Sequence, residues 1–263
     1  MARRSEIDQR REEISRLVSE HGFARVSELA SRFDVTPMTI HRDLDALDAR
    51  GSLTKVRSGA RATPFEEQER NVAFREHHMI AQKAAIASAA IDWLDEQEDV
   101  RVVALDDSTT ALALVPALME RAGLTIVSNS HLVIDRVSAV AGTRLIAIGG
   151  SYAHEFMSFN GSAAIEAIRS LQIDVSFISA TAVGKQATFH PEEVPVITKR
   201  ALMNQSERTA LLIDHTKFER RALHRQAALS EFELAVVDDG IQPEHLERLQ
   251  QHIGTILVAP ATN

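Results

Sequence analysis

The chain has 263 residues, of which 44% are hydrophobic and 25% charged, enough for one large domain or a large domain with a small partner. The absence of cysteine excludes disulfides, thiolate zinc sites and cysteine nucleophiles. The net charge of −8 is unevenly spread: residues 1 to 61 carry 12 Lys+Arg against 10 Asp+Glu, whereas the rest carries 17 against 27, so any contact with phosphate backbone belongs to the first part.

Ser5, Glu6, Ile7 and Asp8 have the spacing of a capping box, and Ile7, Ile14, Leu17 and Val18 continue as a helical stripe that His21-Gly22 stops. The opening MARRSEIDQRREE lacks the apolar stretch of a signal peptide, and no run approaches the roughly 18 apolar residues of a membrane helix, so a cytosolic protein without membrane contact is expected. Ser27 is the next candidate N-cap, opening a short helix with Leu29, Ala30 and Phe33 on its apolar side. Thr36-Pro37 then caps a third helix, with Ile40, Leu44 and Leu47 four and three residues apart. Gly51 ends it, and Ser52 to Arg57 alternates as a hairpin strand closing at Ser58-Gly59. Residues 61 to 76 are polar and are expected to link a first domain, 1 to 60, to a second, 77 to 263.

Turning 100° per residue from Ile40 keeps Leu44 and Leu47 on the buried side and sends Met38, Arg42 and Asp45 to the opposite side, flanked by Thr39 and His41. Laid in a major groove, such a helix offers Arg42 to phosphate or guanine, Thr36 and Thr39 as hydrogen-bonding groups and Met38 to a thymine methyl. Lys55 and Arg57 on the following strand would act as a wing beside the DNA backbone. The competing reading is a helical interaction or dimerisation module, because Asp43, Asp45 and Asp48 nearly cancel the basic side.

Beyond the linker, Val100–Leu105, Leu124–Val127, Arg144–Ile148, Asp174–Ser179, Ala210–Ile213, Leu234–Val237 and Thr255–Val258 are short and rich in β-branched residues. Most are separated by helix-like segments, which predicts an α/β domain with a mainly parallel sheet. Ligands of such sheets collect at the carboxyl ends of the strands. There the chain places Asp106-Asp107-Ser108-Thr109-Thr110, Ser128-Asn129-Ser130, Gly149-Gly150 and Asp214-His215-Thr216-Lys217. Hydroxyls, amides and a lysine suit a phosphate and sugar hydroxyls, while Asp107 would repel a phosphate. Taken singly, each cluster reads as a cap or turn. The eleven histidines are scattered, His77 and His78 point apart on a helix, and neither a metal nor a cofactor is expected.

The helix pattern of Thr36, Thr39, Ile40, Arg42, Asp43 and Leu44, and the wing ending Ser58-Gly59-Ala60, resemble the helix-turn-helix of the DeoR family of bacterial transcriptional regulators. His41 stands where that family usually has arginine. The second part is similar to the family's sensor domain: Asp106 to Thr110, Ser128-Asn129-Ser130, Ile148-Gly149-Gly150, Thr198-Lys199-Arg200-Ala201, Asp214 to Phe218 and Asp238-Asp239-Gly240 follow its motifs in order. The resemblance implies a winged helix-turn-helix joined to an α/β sensor related to ribose-5-phosphate isomerase-like folds, adds Lys199 to the effector residues, and makes the chain a non-enzymatic regulator. It also implies a homodimeric or homotetrameric repressor of a carbohydrate or polyol operon, released from operator double-stranded DNA by a phosphorylated sugar or polyol. A sugar-phosphate isomerase with an accessory helical domain is the alternative, with Asp106, Asp107 or Asp214 as base. Ser108 in place of the family's glycine, and Ala180-Thr181-Ala182, depart from its pattern at the ligand loop.

Overall fold

A computed structural model describes residues 2–64 and 71–261, and the chain divides into two compact units, Met1–His78 and Met79–Asn263. In the first, α1 (Ala2–His21), β1 (Phe23–Arg25), α2 (Val26–Arg32), α3 (Pro37–Ala49), β2 (Thr54–Val56), β3 (Gly59–Arg61) and α4 (Val72–His77) follow one another. Ile14, Val18, Leu29, Ile40, Leu44 and Leu53 form its core. Gly22 takes the left-handed conformation that ends α1, with φ of 75°. Two start signals differ from expectation. Helix α1 already runs from Ala2, so Ser5 lies inside it, and the N-cap of α2 is not Ser27 but Arg25, two residues earlier, whose N–H is accepted by the Glu28 carboxylate at 3.2 Å.

Thr36 caps α3 as expected, its Oγ1 accepting the Thr39 N–H at 3.2 Å. The wing is a three-stranded antiparallel sheet in the order β1-β3-β2, and β1 was not foreseen. Its central strand passes so close to β1 that a Cβ on Gly59 would stand 2.0 Å from the Ala24 carbonyl oxygen. The stretch expected as linker contains α4, started by Asn71, whose Oδ1 accepts the Phe74 N–H at 3.2 Å, and anchored by buried Val72. Residues 65–70 of that stretch lie outside the described residues.

The second unit opens with α5 (Ile80–Asp95), β4 (Val102–Leu105), α6 (Thr109–Leu112), α7 (Val115–Met119), β5 (Thr125–Ser128), α8 (His131–Ser138), β6 (Arg144–Ala147) and a hairpin of β7 (Ser151–Ala153) and β8 (Ser158–Asn160). It continues through α9 (Ser162–Arg169), β9 (Ile173–Ser179), β10 (Ala182–Val183), β11 (Ala187–His190), α10 (Glu193–Asn204), β12 (Ser206–Ile213), β13 (His224–Ala228), β14 (Leu234–Asp238), α11 (Pro243–Gln250) and β15 (Thr255–Ala259). All seven expected strands join one sheet in the order β15-β14-β12-β9-β4-β5-β6, and every pair is parallel.

Side chains alternate between two cores on its faces: Val103, Leu105 and Leu212 enter one, Ala104, Leu211 and Ile213 the other. The chain enters the sheet at β4, builds outward through β5 and β6, then returns to β4's other side with β9. That reversal is a topological switch point, and in open α/β sheets ligands bind at such a point, outside the carboxyl ends of the strands, here β4 and β9. A separate antiparallel sheet, β10-β11-β13, follows β9.

Candidate functional site

On α3, Met38 is 63% exposed and Arg42 and Asp45 are exposed, while Ile40, Leu44 and Leu47 are buried, which is the division that a 100° turn requires. Thr36 and Thr39 stand at its N-terminus with their hydroxyls 3.0 Å apart, and His41 is half-buried. Arg57 is exposed at the wing's tip. Lys55 is engaged instead: its Nζ pairs with the Asp45 carboxylate and lies 3.5 Å from the His41 carbonyl oxygen, and its N–H donates to the Asp48 carboxylate at 2.9 Å. The wing is thereby bound to α3 through a cation expected to face phosphate.

Asp43, counted with the surface acids, is buried. It accepts Arg10 Nε at 2.8 Å and Arg11 Nε at 2.9 Å, so α3 is pinned to α1 by a carboxylate between two guanidinium groups. Asp43 therefore does not offset the outward basic face.

At the switch point of the second unit, Asp106 follows β4 with no exposed surface. Its Oδ1 accepts the Ser108 N–H at 2.9 Å, and its Oδ2 accepts the Ser179 N–H at 2.8 Å and Lys199 Nζ at 2.5 Å. Lys199 reaches in from α10 and also meets Asp107 Oδ1 at 2.8 Å. Burial pushes the lysine's pKa down, but the Asp106 and Asp107 carboxylates outweigh it and hold it above the ordinary value. Asp107 is thus compensated rather than standing as a lone negative charge, and its Oδ2 takes the Ser158 hydroxyl at 3.1 Å.

The network extends sideways. Asn160 donates to Ser158 Oγ at 2.9 Å and accepts from the Thr198 hydroxyl at 2.8 Å. Ser128 Oγ donates to the Leu105 carbonyl at 2.8 Å and accepts the Ser130 N–H at 3.0 Å, and Ser108 Oγ caps α6. Thr109 and Thr110 fill the first turn of α6. Gly150 has φ of 145°, and a Cβ there would stand 2.5 Å from the Asn160 carbonyl oxygen, whereas Gly149 faces open space. Two buried amides stand out. Asn129 donates to the Phe159 carbonyl at 3.0 Å and Gln226, on β13, to the Ser179 carbonyl at 3.2 Å. Those donations fix the amide orientation, and they leave Asn129 Oδ1 and Gln226 Oε1 as buried acceptors without a protein donor.

Asp214 and Lys217 form a second cluster after β12, two strand positions from β4, or about 10 Å at usual spacing. Asp214 Oδ1 takes the Thr216 N–H at 3.1 Å and its hydroxyl, and Lys217 Nζ is 3.9 Å from Oδ2. Burial opposes ionisation of Asp214, but Lys217, the Thr216 hydroxyl, Arg220 and Lys83 together hold its pKa below the ordinary carboxylate value. The His215 ring and backbone N–H are bound by Asp238 at 2.6 and 2.7 Å, which pins this loop to the end of β14.

The structure therefore separates the expected residues into a hydroxyl- and amide-rich cluster built on Asp106, Asp107 and Lys199, and a second cluster after β12 in which Lys217, Arg220 and Lys83 all act on Asp214. Lys83, Ser158, Asn160, Ser179, Thr198 and Gln226 were missed. Thr198 stands in the Thr198-Lys199-Arg200-Ala201 motif and Ser179 closes an expected strand without either having been given a site role, whereas Ser158, Asn160, Gln226 and Lys83 sit in no recognisable pattern. Among the described residues no group of three or more His, Asp or Glu is placed to hold a metal ion, and no helix is long and apolar enough to cross a membrane.

Two family descriptions match the chain: the DeoR-like helix-turn-helix domain over residues 10–64 and the DeoR C terminal sensor domain over residues 78–239. Similar proteins include the uncharacterized HTH-type transcriptional regulator YgbI of Escherichia coli (strain K12), 32% identical over 95% of this chain and 97% of its own length. The L-fucose operon activator of Haemophilus influenzae is 31% identical over 95% and 100%, and the lactose phosphotransferase system repressor of Staphylococcus aureus 30% over 94% and 98%. Ribose 5 phosphate isomerase A from Neisseria gonorrhoeae aligns over 52% of each chain with 12% identity and a TM-score of 0.37, too remote to carry substrate or chemistry.

Proposed function

The chain belongs to the DeoR family of helix-turn-helix transcriptional regulators, and from that premise we propose that it represses a carbohydrate or polyol operon and is released from operator DNA by a phosphorylated sugar or polyol. The observation that carries the effector reading is the separation at the strand ends of a cation-lined cluster from one rich in hydroxyls and amides. The cluster after β12 receives the phosphate, because three cationic side chains, Lys217, Arg220 and Lys83, converge on Asp214 there. The Asn129 and Gln226 carbonyl oxygens accept hydroxyl protons, which a phosphate at neutral pH does not supply. The roughly 10 Å between the clusters matches the length of a five- or six-carbon phosphate.

On the DNA side, Arg42, Met38, Thr36, Thr39 and His41 read the major groove and Arg57 meets the backbone. One helix makes few base contacts, so a homodimer or homotetramer on repeated half-sites supplies specificity. The protein works in the cytoplasm as a regulator rather than an isomerase, since the three carboxylates that could serve as base are engaged: both oxygens of Asp106 accept protein donors, Asp107 meets Lys199 and the Ser158 hydroxyl, and Asp214 Oδ1 accepts from Thr216. The effector displaces DNA only by binding the released arrangement more tightly.

A thermal-shift screen of pentose, hexose and polyol phosphates on the full chain tests the effector reading. A ligand at 100 times its dissociation constant raises stability by about 2.7 kcal/mol, and Lys217→Ala is expected to remove that shift. A shift that survives Lys217→Ala overturns the placement of the phosphate.

Asp45 gives a second expectation. To reach a phosphate, Lys55 must leave Asp45, so Asp45→Asn should tighten DNA binding several-fold and steepen the dependence of log K on log salt by about one counterion. In a Lys55→Ala background the same substitution should gain much less. Equal gains in both backgrounds would mean that Lys55 stays on α3 when DNA is bound.

A further inference from the structure

A cavity of about 430 Å³ opens at the end of the sheet opposite the clusters described above. It lies where β4, β5 and β6 begin: Arg101 directly precedes β4, Arg121 and Leu124 flank the turn that enters β5, and Arg144 is the first residue of β6. Strand register brings these residues together. Val102 pairs with Thr125 and Thr125 with Arg144, and the Thr125 N–H donates to the Arg101 carbonyl at 2.7 Å, so Arg101 and Arg144 stand about two strand spacings, or roughly 10 Å, apart. Arg121 is the fixed member, half-buried, with its guanidinium paired to the Asp95 carboxylate at the end of α5 and 3.4 Å from the Ile91 carbonyl oxygen. Arg101 and Arg144 are exposed, and among the described residues neither guanidinium has a carboxylate partner. This holds although residues 62 to 263 carry 27 Asp+Glu against 17 Lys+Arg. The lining itself contains one carboxylate, that of Asp95.

We propose that this cavity binds a small polyanion with two oxyanion groups, phosphoryl or carboxylate, at a site separate from the effector clusters. Three guanidinium groups against one carboxylate leave two positive charges for a ligand to neutralise, and the planar fork of arginine matches the paired oxygens of either group. Part of that positive charge has a structural task. Helix α5 ends at the cavity, and the carbonyls of a helix C-terminus favour a nearby cation, which Arg121 supplies at Ile91. Arg101 and Arg144 are in excess of that need. The volume lies near the lower end of the roughly 300–1,000 Å³ typical of small-molecule sites. Leu94 and Leu124 in the lining are only 2% and 7% exposed, which leaves little apolar surface for a nucleobase or an acyl chain. The ligand is therefore compact and charged throughout. Five positions of β4 and its flanks, roughly 16 Å of extended chain, separate Arg101 from Asp106, so one small molecule does not serve both ends of the sheet.

Isothermal titration calorimetry of the full chain with pyrophosphate, citrate and inorganic phosphate, at one pH and fixed ionic strength, is the test. Pyrophosphate or citrate is expected to bind, the tighter of the two identifying the oxyanion. Inorganic phosphate should bind at least tenfold more weakly, because it offers one group to three arginines. Arg101→Gln and Arg144→Gln should each lower the affinity at least tenfold while the ligand-free melting temperature stays unchanged, since both side chains are exposed. Arg169→Gln, at an exposed arginine ending α9, removes the same charge elsewhere and should leave the affinity unchanged. Absence of binding by both pyrophosphate and citrate, or binding that survives Arg101→Gln and Arg144→Gln, overturns the site. A loss as large in Arg169→Gln overturns it too, because general surface charge would then account for the binding. Inorganic phosphate as tight as pyrophosphate overturns the two-group ligand. None of these outcomes depends on whether a sugar phosphate binds at the carboxyl ends of the strands.

Discussion

Lys199→Met is expected to destabilise the sensor unit by about 3–5 kcal/mol and to abolish its response to any ligand. Lys199 is 4% exposed and its ammonium is the cation set between Asp106 and Asp107, which are themselves 0% and 7% exposed. Removing it leaves two carboxylates facing one another without water to screen them, at the switch point where β4, β9 and α10 converge. Lys199 itself has a pKa raised above the ordinary lysine value, so its contribution is complete below that value and is lost only as pH rises through the higher folded-state one. Wild-type stability should accordingly show no loss from this lysine across neutral pH. The variant should behave in the opposite sense. Its carboxylate pair binds a proton more tightly folded than unfolded, so part of the lost stability should return as pH falls from 7.5 towards 5.5. Urea unfolding at the two pH values checks both statements, and a variant equally unstable at both would show that the loss is not carboxylate repulsion.

Asp43→Ala should lower the stability of the first unit by about 2 kcal/mol and reduce operator affinity more than any single substitution on the outward face of α3. Its side chain is 3% exposed, whereas those of Arg10 and Arg11 are 17% and 22% exposed. The arginines can turn to solvent, which is why the loss is set below that of a fully buried pair. What remains after they turn is an α3 still tied to the wing through Lys55 but held to α1 by apolar contact alone, and so freer to shift against it. Hydrogen exchange of α3 amides should therefore accelerate in this variant. Affinity that falls while exchange and melting temperature stay unchanged would place Asp43 at the DNA instead.

Much of this was readable in the linear sequence for a definite reason. The five inner strands of the sheet are short apolar runs buried on both faces, the edge strands β6 and β15 keep the same composition while partly exposed, and Ile40, Leu44 and Leu47 mark α3, so local pattern reports them directly. Polar residues after the strands were also visible, because a parallel sheet brings all such ends to one edge. Which of them face each other was not visible. Ser158 meets Asp107 across 51 positions, and Thr198 meets Asn160 across 38, contacts set by crossovers rather than spacing. The same holds for Gln226, which reaches Ser179 only because β13 joins the antiparallel sheet beside β9. Asp43 and Lys55 were misjudged as free surface charges since their partners, Arg10, Arg11 and Asp45, lie on other elements or across a turn.

The central claim, a regulator that reads DNA with α3, is tested most directly by fluorescence anisotropy of the full chain titrated onto fragments flanking its own gene at moderate salt, beside Arg42→Ala. Expected is selective binding to one fragment over unrelated DNA of equal length, weakening steeply with salt and losing about tenfold or more in affinity with Arg42→Ala. Equal affinity for every fragment, or a selective site that Arg42→Ala leaves untouched, would contradict it.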